Sequence, residues 1–244
     1  MEPIGMAADG GTASDRSAGG KAGDKAEAIR LALHDAIVDR RLAPGTKLAE
    51  DEVGALFEVS RTVVRAALQA LAFEGVVTIE RNRGAFVARP SLDEARQVFA
   101  ARRMIEPGLA VAAAERISEA DLDGLSRHLA AEAAAAGARG PSARRAEIHA
   151  SGDLHLKIAA VAGNELLARF LKELVARSSL VIALYGRTSA SSCARDEHGA
   201  IVRALAARDG AAAAALMIRH LDHIEADLDY ELGAAAGIGA LLRG

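Results

Sequence analysis

Only two residues, Glu58-Val59, separate two amphipathic helical patterns, and this spacing constrains the chain more than any other feature. The first pattern covers residues 49–57, with Val53, Leu56 and Phe57 as its apolar positions. The second covers residues 60–74, with Val63, Val64, Ala67, Leu68 and Leu71 at helical intervals. So short a link forces the two helices to turn sharply on each other. Ser60 stands where an N-cap hydroxyl would take an orphaned backbone N–H of the second helix. Upstream, Ala28, Ile29, Leu31, Leu33, Ala36, Ile37 and Val38 predict a helix from Asp24 to about Arg40. Leu42-Ala43-Pro44-Gly45 then reads as a turn.

After Gly75 the apolar period falls to two. Residues 76–79 and 85–88 predict strands, and Glu80-Arg81-Asn82-Arg83-Gly84 predicts the hairpin between them. Residues 24–90 therefore spell helix, helix, helix, hairpin, which is a winged helix-turn-helix plan. Pro90 closes this unit, and Ser91-Leu92-Asp93-Glu94 has capping-box form. Beyond it, six helical segments are predicted, at 91–116, 118–136, 142–161, 164–186, 194–208 and 211–232. The expected fold is mainly α, an N-terminal winged helix-turn-helix followed by an all-α six-helix bundle. Residues 1–23 and 233–244 are expected to be a flexible tail and a frayed C-terminal tail.

Composition excludes several classes. The 244 residues are 51% hydrophobic, enough for a buried core, and carry a net charge of -3, so any attraction to nucleic acid must be local. A single cysteine excludes a disulfide framework and any multi-Cys zinc site. No apolar run approaches the roughly 20 residues of a membrane span. The first residues lack the apolar core of a signal peptide, so a cytoplasmic protein is expected.

The local field is present. Residues 24–90 hold ten basic and ten acidic residues, whereas residues 60–90 hold five arginines against Glu74 and Glu80, net +3. Arg61 and Arg65 lie one turn apart on the second helix, beside Ser60 and Thr62, and Arg81 and Arg83 flank the hairpin tip before Gly84. A guanidinium can bond guanine O6 and N7 together, and a cationic wing can lie on phosphates or in the minor groove. Surface arginine pairs alone are common; the helix-turn-helix spacing and the hairpin give these their meaning.

Pro44-Gly45-Thr46-Lys47-Leu48-Ala49-Glu50, the run from Val59 to Leu68, and Leu71-Ala72-Phe73-Glu74-Gly75 resemble the amino-terminal domain of GntR-family bacterial transcription regulators. The resemblance implies that Ser60, Arg61, Thr62, Arg65 and Gly84 touch DNA. Val63 replaces a common proline. Asp51 stands where many members carry a basic residue, which removes one expected contact.

Three histidines, His155, His198 and His220, fall on three predicted helices. Such imidazoles can build a site for a borderline divalent metal. Spacing alone does not separate this from core-edge histidines. The run from His155 to Leu167, Glu197-His198-Gly199-Ala200, His220-Leu221, and Arg102-Arg103-Met104-Ile105-Glu106 are similar to the FCD effector domain of the FadR-type subfamily. That resemblance implies a divalent metal, zinc or nickel, held by an Asp and these three histidines, and a small carboxylate effector. Ser151 stands at the Asp position. Asp153 is two residues before His155 and on a helix points roughly 160° away from it. His223, one turn after His220, is a substitute ligand, and His128 and His149 read as surface residues. Arg102 is the expected effector cation, with an i, i+4 pair to Glu106 as its alternative role; Ser178, Ser179 and Tyr185 are candidate cavity residues. The function expected is a ligand-responsive repressor that binds a pseudo-palindromic operator as a homodimer. A metal-dependent hydrolase using the histidines, and a DNA-binding protein with a vestigial effector domain, are the alternatives.

Overall fold

The computed structural model describes residues 14–136, 141–187 and 191–229. The first unit runs α1 (Ser14–Val38), β1 (Lys47–Leu48), α2 (Glu50–Phe57), α3 (Arg61–Phe73), β2 (Val77–Glu80) and β3 (Gly84–Val87). Helix α1 reaches back to Ser14, across residues assigned to the tail by composition. Extending a helix whose later turns are anchored adds one bond per residue fixed, so weak formers such as Ser and Gly can be recruited. Residues 1–13 of the expected tail lie outside the described residues.

The turn between α2 and α3 is made by Glu58, in the left-handed region at φ 53, with the Val59 N–H donating to the Gly54 carbonyl at 3.0 Å. Ser60 occupies the N-cap position of α3, but its hydroxyl caps no backbone N–H, contrary to expectation. Val64, Ala67, Leu68 and Leu71 of α3 pack against Ile29, Leu33 and Ile37 of α1, Val53 of α2 and Val77 of β2. Leu56 is 76% exposed and Leu31 48% exposed, so each lies off the apolar face predicted for it.

The sheet has order β1-β3-β2, and both pairs are antiparallel. Its strands are offset by one residue from those predicted, and β1 is too short for a period to reveal it. Glu80 pairs with Gly84, leaving a three-residue tip whose Asn82 has φ 61. Gly84 itself has φ 102, a conformation that an L side chain rarely adopts.

Among the described residues six helices follow: α4 (Leu92–Arg116), α5 (Glu119–Ala136), α6 (Pro141–Ala162), α7 (Glu165–Tyr185), α8 (Ser191–Ala206) and α9 (Gly210–Ala226). Ser91 caps α4 with the expected box: the Glu94 N–H donates to its hydroxyl at 3.1 Å, and its own N–H donates to the Glu94 carboxylate at 2.7 Å. Helix α9 stops six residues before the predicted Glu231-Leu232 end. The chain there pairs Leu228 with Gly186, and the Asp229 N–H donates to the Tyr185 carbonyl at 2.7 Å, which draws it out of helical geometry. Residues 230–244 lie outside the described residues. Fully buried alanines, Ala110, Ala113 and Ala114 of α4 and Ala213 of α9, let the helices approach closely around Leu154, Ile158, Leu171, Ile201, Leu205 and Leu221.

The two units are packed together through α7. Its Leu180 is buried in the core of the first unit. The Arg40 guanidinium donates to the carbonyls of Ala183 and Leu184, and Arg145 of α6 holds Asp39 at 2.8 Å. Gly75, at φ 74, lies directly under Arg177; a Cβ there would come 2.5 Å from the guanidinium carbon.

Leu71→Ala removes a side chain with no solvent exposure and is expected to lower the unfolding free energy by about 2–5 kcal/mol. Leu56→Ala is expected to change it by less than about 0.5 kcal/mol. Urea midpoints of the two variants check the assignment of the core face.

Candidate functional site

Two regions gather the residues singled out by sequence. At the tip of the first unit, Ser60, Arg61, Thr62 and Arg65 are all exposed at the start of α3. Their N-terminal location adds free backbone N–H groups. Both arginines are already paired with the opening turn of α2. Arg61 donates to Asp51 at 2.8 Å, and Arg65 donates to both Glu50 oxygens at 2.8 and 2.9 Å. The Glu50 carboxyl is accordingly held below its ordinary value by the Arg65 hydrogen bond. Asp51, which removes a basic group from this surface, thus also occupies Arg61. On the wing, Arg83 pairs with Glu80 and lies 5.3 Å over the Phe86 ring, while Arg81 is exposed at the tip. Lys47 of β1 is a cation that the sequence reading missed. It is exposed and its Cε lies 3.6 Å from where a Gly84 Cβ would stand, so strand pairing with Phe86 brings it onto the wing.

In the helical unit, His155 of α6, His198 of α8 and His220 of α9 converge, and all three are buried. Ring centroids are 5.6 Å apart for His155–His198, 5.2 Å for His155–His220 and 4.4 Å for His198–His220. Each Nδ1 is held by a carboxylate. His155 Nδ1 meets Glu106 of α4. His198 Nδ1 meets Glu132 of α5 at 2.9 and 3.0 Å, and His220 Nδ1 meets Glu197 of α8 at 2.9 Å. A carboxylate partner places the proton of a neutral imidazole on Nδ1 and leaves the Nε2 lone pair free.

The Nε2 atoms then face one another. His198 Nε2 and His220 Nε2 are 2.9 Å apart, and His155 Nε2 is buried without a hydrogen-bond partner. Burial pushes His155 down to about 4, with the nearby Glu106 opposing, and pushes His220 down to about 3, with Glu197 opposing. At neutral pH the His155 and His220 rings are neutral. With each Nδ1 proton on its carboxylate side, three lone pairs face inward as a divalent cation requires, so the donor set fits a borderline metal.

Beside this centre lies a cavity of about 500 Å³, into which Ser151, His155, Ser178 and Ser179 project. Ser151 lies one turn before His155, at the position of the expected Asp, and offers a hydroxyl. Asp153 is exposed, as its helical angle requires. Arg102 makes the i, i+4 pair with Glu106 and also lines the cavity. Its Nε bonds Glu106 at 2.5 Å and one Nη donates to Ser178 at 2.9 Å, while the other Nη is buried without a partner and the residue lines the cavity. Burial alone would raise the Glu106 carboxyl; Arg102 and His155 outweigh it and hold it down at about 2.

Several expectations need correction. Tyr185 does not line the cavity. Its hydroxyl donates to the Pro90 carbonyl at 2.6 Å, and its ring packs with Ala95, Phe99 and Val181. His223 lines the cavity but shares Glu197 with His220 rather than joining the three converging rings. His128 is half-buried and bonded to the Ala150 carbonyl at 2.7 Å, and His149 is half-buried against α1. The sequence pairs Glu106 with Arg102 but gives none of the three glutamates a place beside the histidines. Glu197 adjoins His198 and Glu106 follows Arg102 by one turn, which are usable signals. Glu132 sits in an alanine-rich stretch that signals nothing.

Residues 25–87 match the gntR family of bacterial regulatory proteins, and residues 97–223 match the FCD domain. The chain belongs to the GntR family, with an FCD domain. It is 30% identical over 208 residues to the HTH-type transcriptional regulator LutR of Bacillus subtilis, covering 78% of this chain and 94% of that protein. It is 44% identical over 61 residues to an HTH-type transcriptional regulator of Streptomyces ambofaciens. That match spans 25% of this chain and 26% of the relative. Escherichia coli McbR/YncC shares the fold, with a TM-score of 0.71 and 16% identity over 83% of this chain and 95% of that one. These families are transcriptional regulators, not enzymes, which sets the hydrolase alternative aside.

Arg102→Ala would leave Glu106 buried with His155 as its remaining partner. It is expected to cost about 3 kcal/mol of folding stability, measured by chemical denaturation.

Proposed function

We propose that this DNA-binding regulator is a ligand-responsive repressor whose sensor holds a divalent metal and takes a small organic acid. The observation that carries the reading is the inward convergence of three carboxylate-backed imidazoles on a cavity that also receives an unpartnered arginine Nη. His155, His198 and His220 would hold the metal through Nε2, with zinc or nickel suited to such ligands. A bound metal supplies a Lewis-acidic position for an effector carboxylate. The chain's own contribution is the free Arg102 Nη and the hydroxyls of Ser151 and Ser179, which orient the acid. Ser151 in place of Asp leaves one fewer negative charge and one more position for water or effector.

On the other unit, Ser60, Arg61, Thr62 and Arg65 enter the major groove, and Arg81, Arg83 and Lys47 follow the backbone beside Gly84. One recognition helix covers one half-site, so a homodimer on a pseudo-palindrome follows. A dimer seated there occludes the promoter. Effector binding in the bundle biases the two units' arrangement through α7, which changes how well two heads fit the operator. No described helix is long and apolar enough to cross a membrane, in keeping with a protein that works on chromosomal DNA in the cytoplasm.

Arg65→Ala is expected to weaken operator binding and lower the slope of log K against log salt by about one contact. Unchanged affinity in a salt series of gel shifts would remove Arg65 from the interface. His198→Ala is expected to lose metal from the histidine centre and, with it, the thermal stabilisation produced by added dicarboxylic acids. If stabilisation persists at full strength, the effector does not use the metal.

A further inference from the structure

A second cluster of ligand-type side chains lies away from the sensor centre, where α1 of the DNA-binding unit meets α6 of the helical unit. His34 and Asp35 come from α1 and His149 from α6, and one ligand atom from each lies within 4.8 Å of the others. The His34 and His149 ring centroids are 5.0 Å apart. His149 Nε2 lies 3.2 Å from Asp35 Oδ1 with no hydrogen bond between them, and this buried atom has no other hydrogen-bond partner. Two ligands bound at about 2.0–2.1 Å with a tetrahedral angle stand roughly 3.3 Å apart. The observed contact, at ion-pair distance but without a hydrogen bond, has the separation that two ligands of one ion also adopt.

From these positions we infer that His34, Asp35 and His149 form a second divalent-metal site that staples α1 to α6. Two imidazoles and a carboxylate suit a borderline ion of the zinc class, with the remaining position open to water. Burial keeps the His34 imidazole neutral near pH 7, with His149 and Arg30 acting in the same direction and Asp35 opposing. Arg145 is the nearby competing cation. It sits 2.8 Å from Asp39 but 3.5 Å from the other oxygen of Asp35, so Asp39 holds it and Asp35 Oδ1 stays available. The site lies on the same helix as His155 and bridges the two units beside the Asp39–Arg145 pair. An ion there restrains the DNA-binding unit against the sensor independently of the three-histidine centre.

The test is zinc binding by the full chain, stripped with chelator, reloaded with excess zinc and desalted. His149→Ala and Asp35→Asn are each expected to bind one equivalent less than the wild-type chain by elemental analysis. In a His198→Ala background, zinc is expected to raise the Tm, and adding Asp35→Asn is expected to abolish that rise. Asp35→Asn is close to isosteric at a half-exposed position, so it keeps the test valid if the His149 variant misfolds. Equal zinc content in the wild-type, His149→Ala and Asp35→Asn chains overturns the inference. A His198→Ala chain that keeps all its zinc overturns the sensor-centre reading instead, and the two failures are read separately.

Discussion

The helical unit depends on burying three imidazoles against three carboxylates so that each carboxylate meets a hydrogen-bonding partner. Burying an isolated carboxylate costs far more than any single contact returns, so buried Glu106 and Glu132, and to a lesser degree half-buried Glu197, must be satisfied by what surrounds them. Glu106 has Arg102 and His155, Glu132 has His198, and Glu197 has His220 and His223. Five of the six bundle helices supply these residues, so the polar centre fixes how the helices register against one another. The Nδ1 protons go outward to the glutamates. What remains inside are the three Nε2 atoms, of which His155 Nε2 has no partner in the protein.

Helix α7 joins this centre to the DNA-binding unit. Its Ser178 accepts from Arg102, while two residues later Leu180 enters the core of the DNA-binding unit. One more turn on, the Ala183 and Leu184 carbonyls accept from Arg40, and Tyr185 anchors the linker at Pro90. A change in how Arg102 is engaged therefore acts on a helix that is itself part of the neighbouring core. Close-packed interiors do not absorb such shifts gradually, so in the proposed effector response one unit would be displaced rigidly.

How much of this was legible depended on whether the signal was local. Helix α3, its separation from α2 and the hairpin are local patterns, and they are found where the periods of 3.6 and two placed them, within a residue or so. Resemblance brought His155, His198 and His220 together, since no spacing along one chain reveals convergence from three helices. Glu132 was invisible for the same reason: it is one acid among alanines, and only tertiary packing puts it beside His198. Tyr185 was misplaced because a helix pattern does not say which side of an amphipathic face meets a cavity and which meets a linker carbonyl. Leu31 and Leu56 are apolar and helical in period yet exposed, because a short unit has more apolar positions than its core can cover. The end of α9 was overextended because Leu228 and Asp229 are drawn to α7 by backbone hydrogen bonds, an attraction between segments more than 40 residues apart.

The acidic opening of α2 gives the reading surface a character that charge counting along residues 60–90 conceals. Glu50, Asp51 and Glu52 suit the positive end of the α2 dipole, but two of them also sit on Arg61 and Arg65. Every anion that approaches these arginines competes with a carboxylate already in place. An isolated phosphate offers little advantage in that exchange, since it replaces one exposed ion pair by another and both are screened by salt. A guanine edge presenting O6 and N7 together offers a different geometry, two acceptors in the plane of the guanidinium. Self-pairing therefore lowers affinity for DNA in general more than for a sequence that places guanines under both arginines. The net charge of -3 acts in the same direction, because there is no broad positive field to hold the protein on arbitrary sequence. If Arg61 and Arg65 read bases as proposed, discrimination would rest as much on what Glu50 and Asp51 withhold from the phosphate backbone as on what the two arginines offer to the bases.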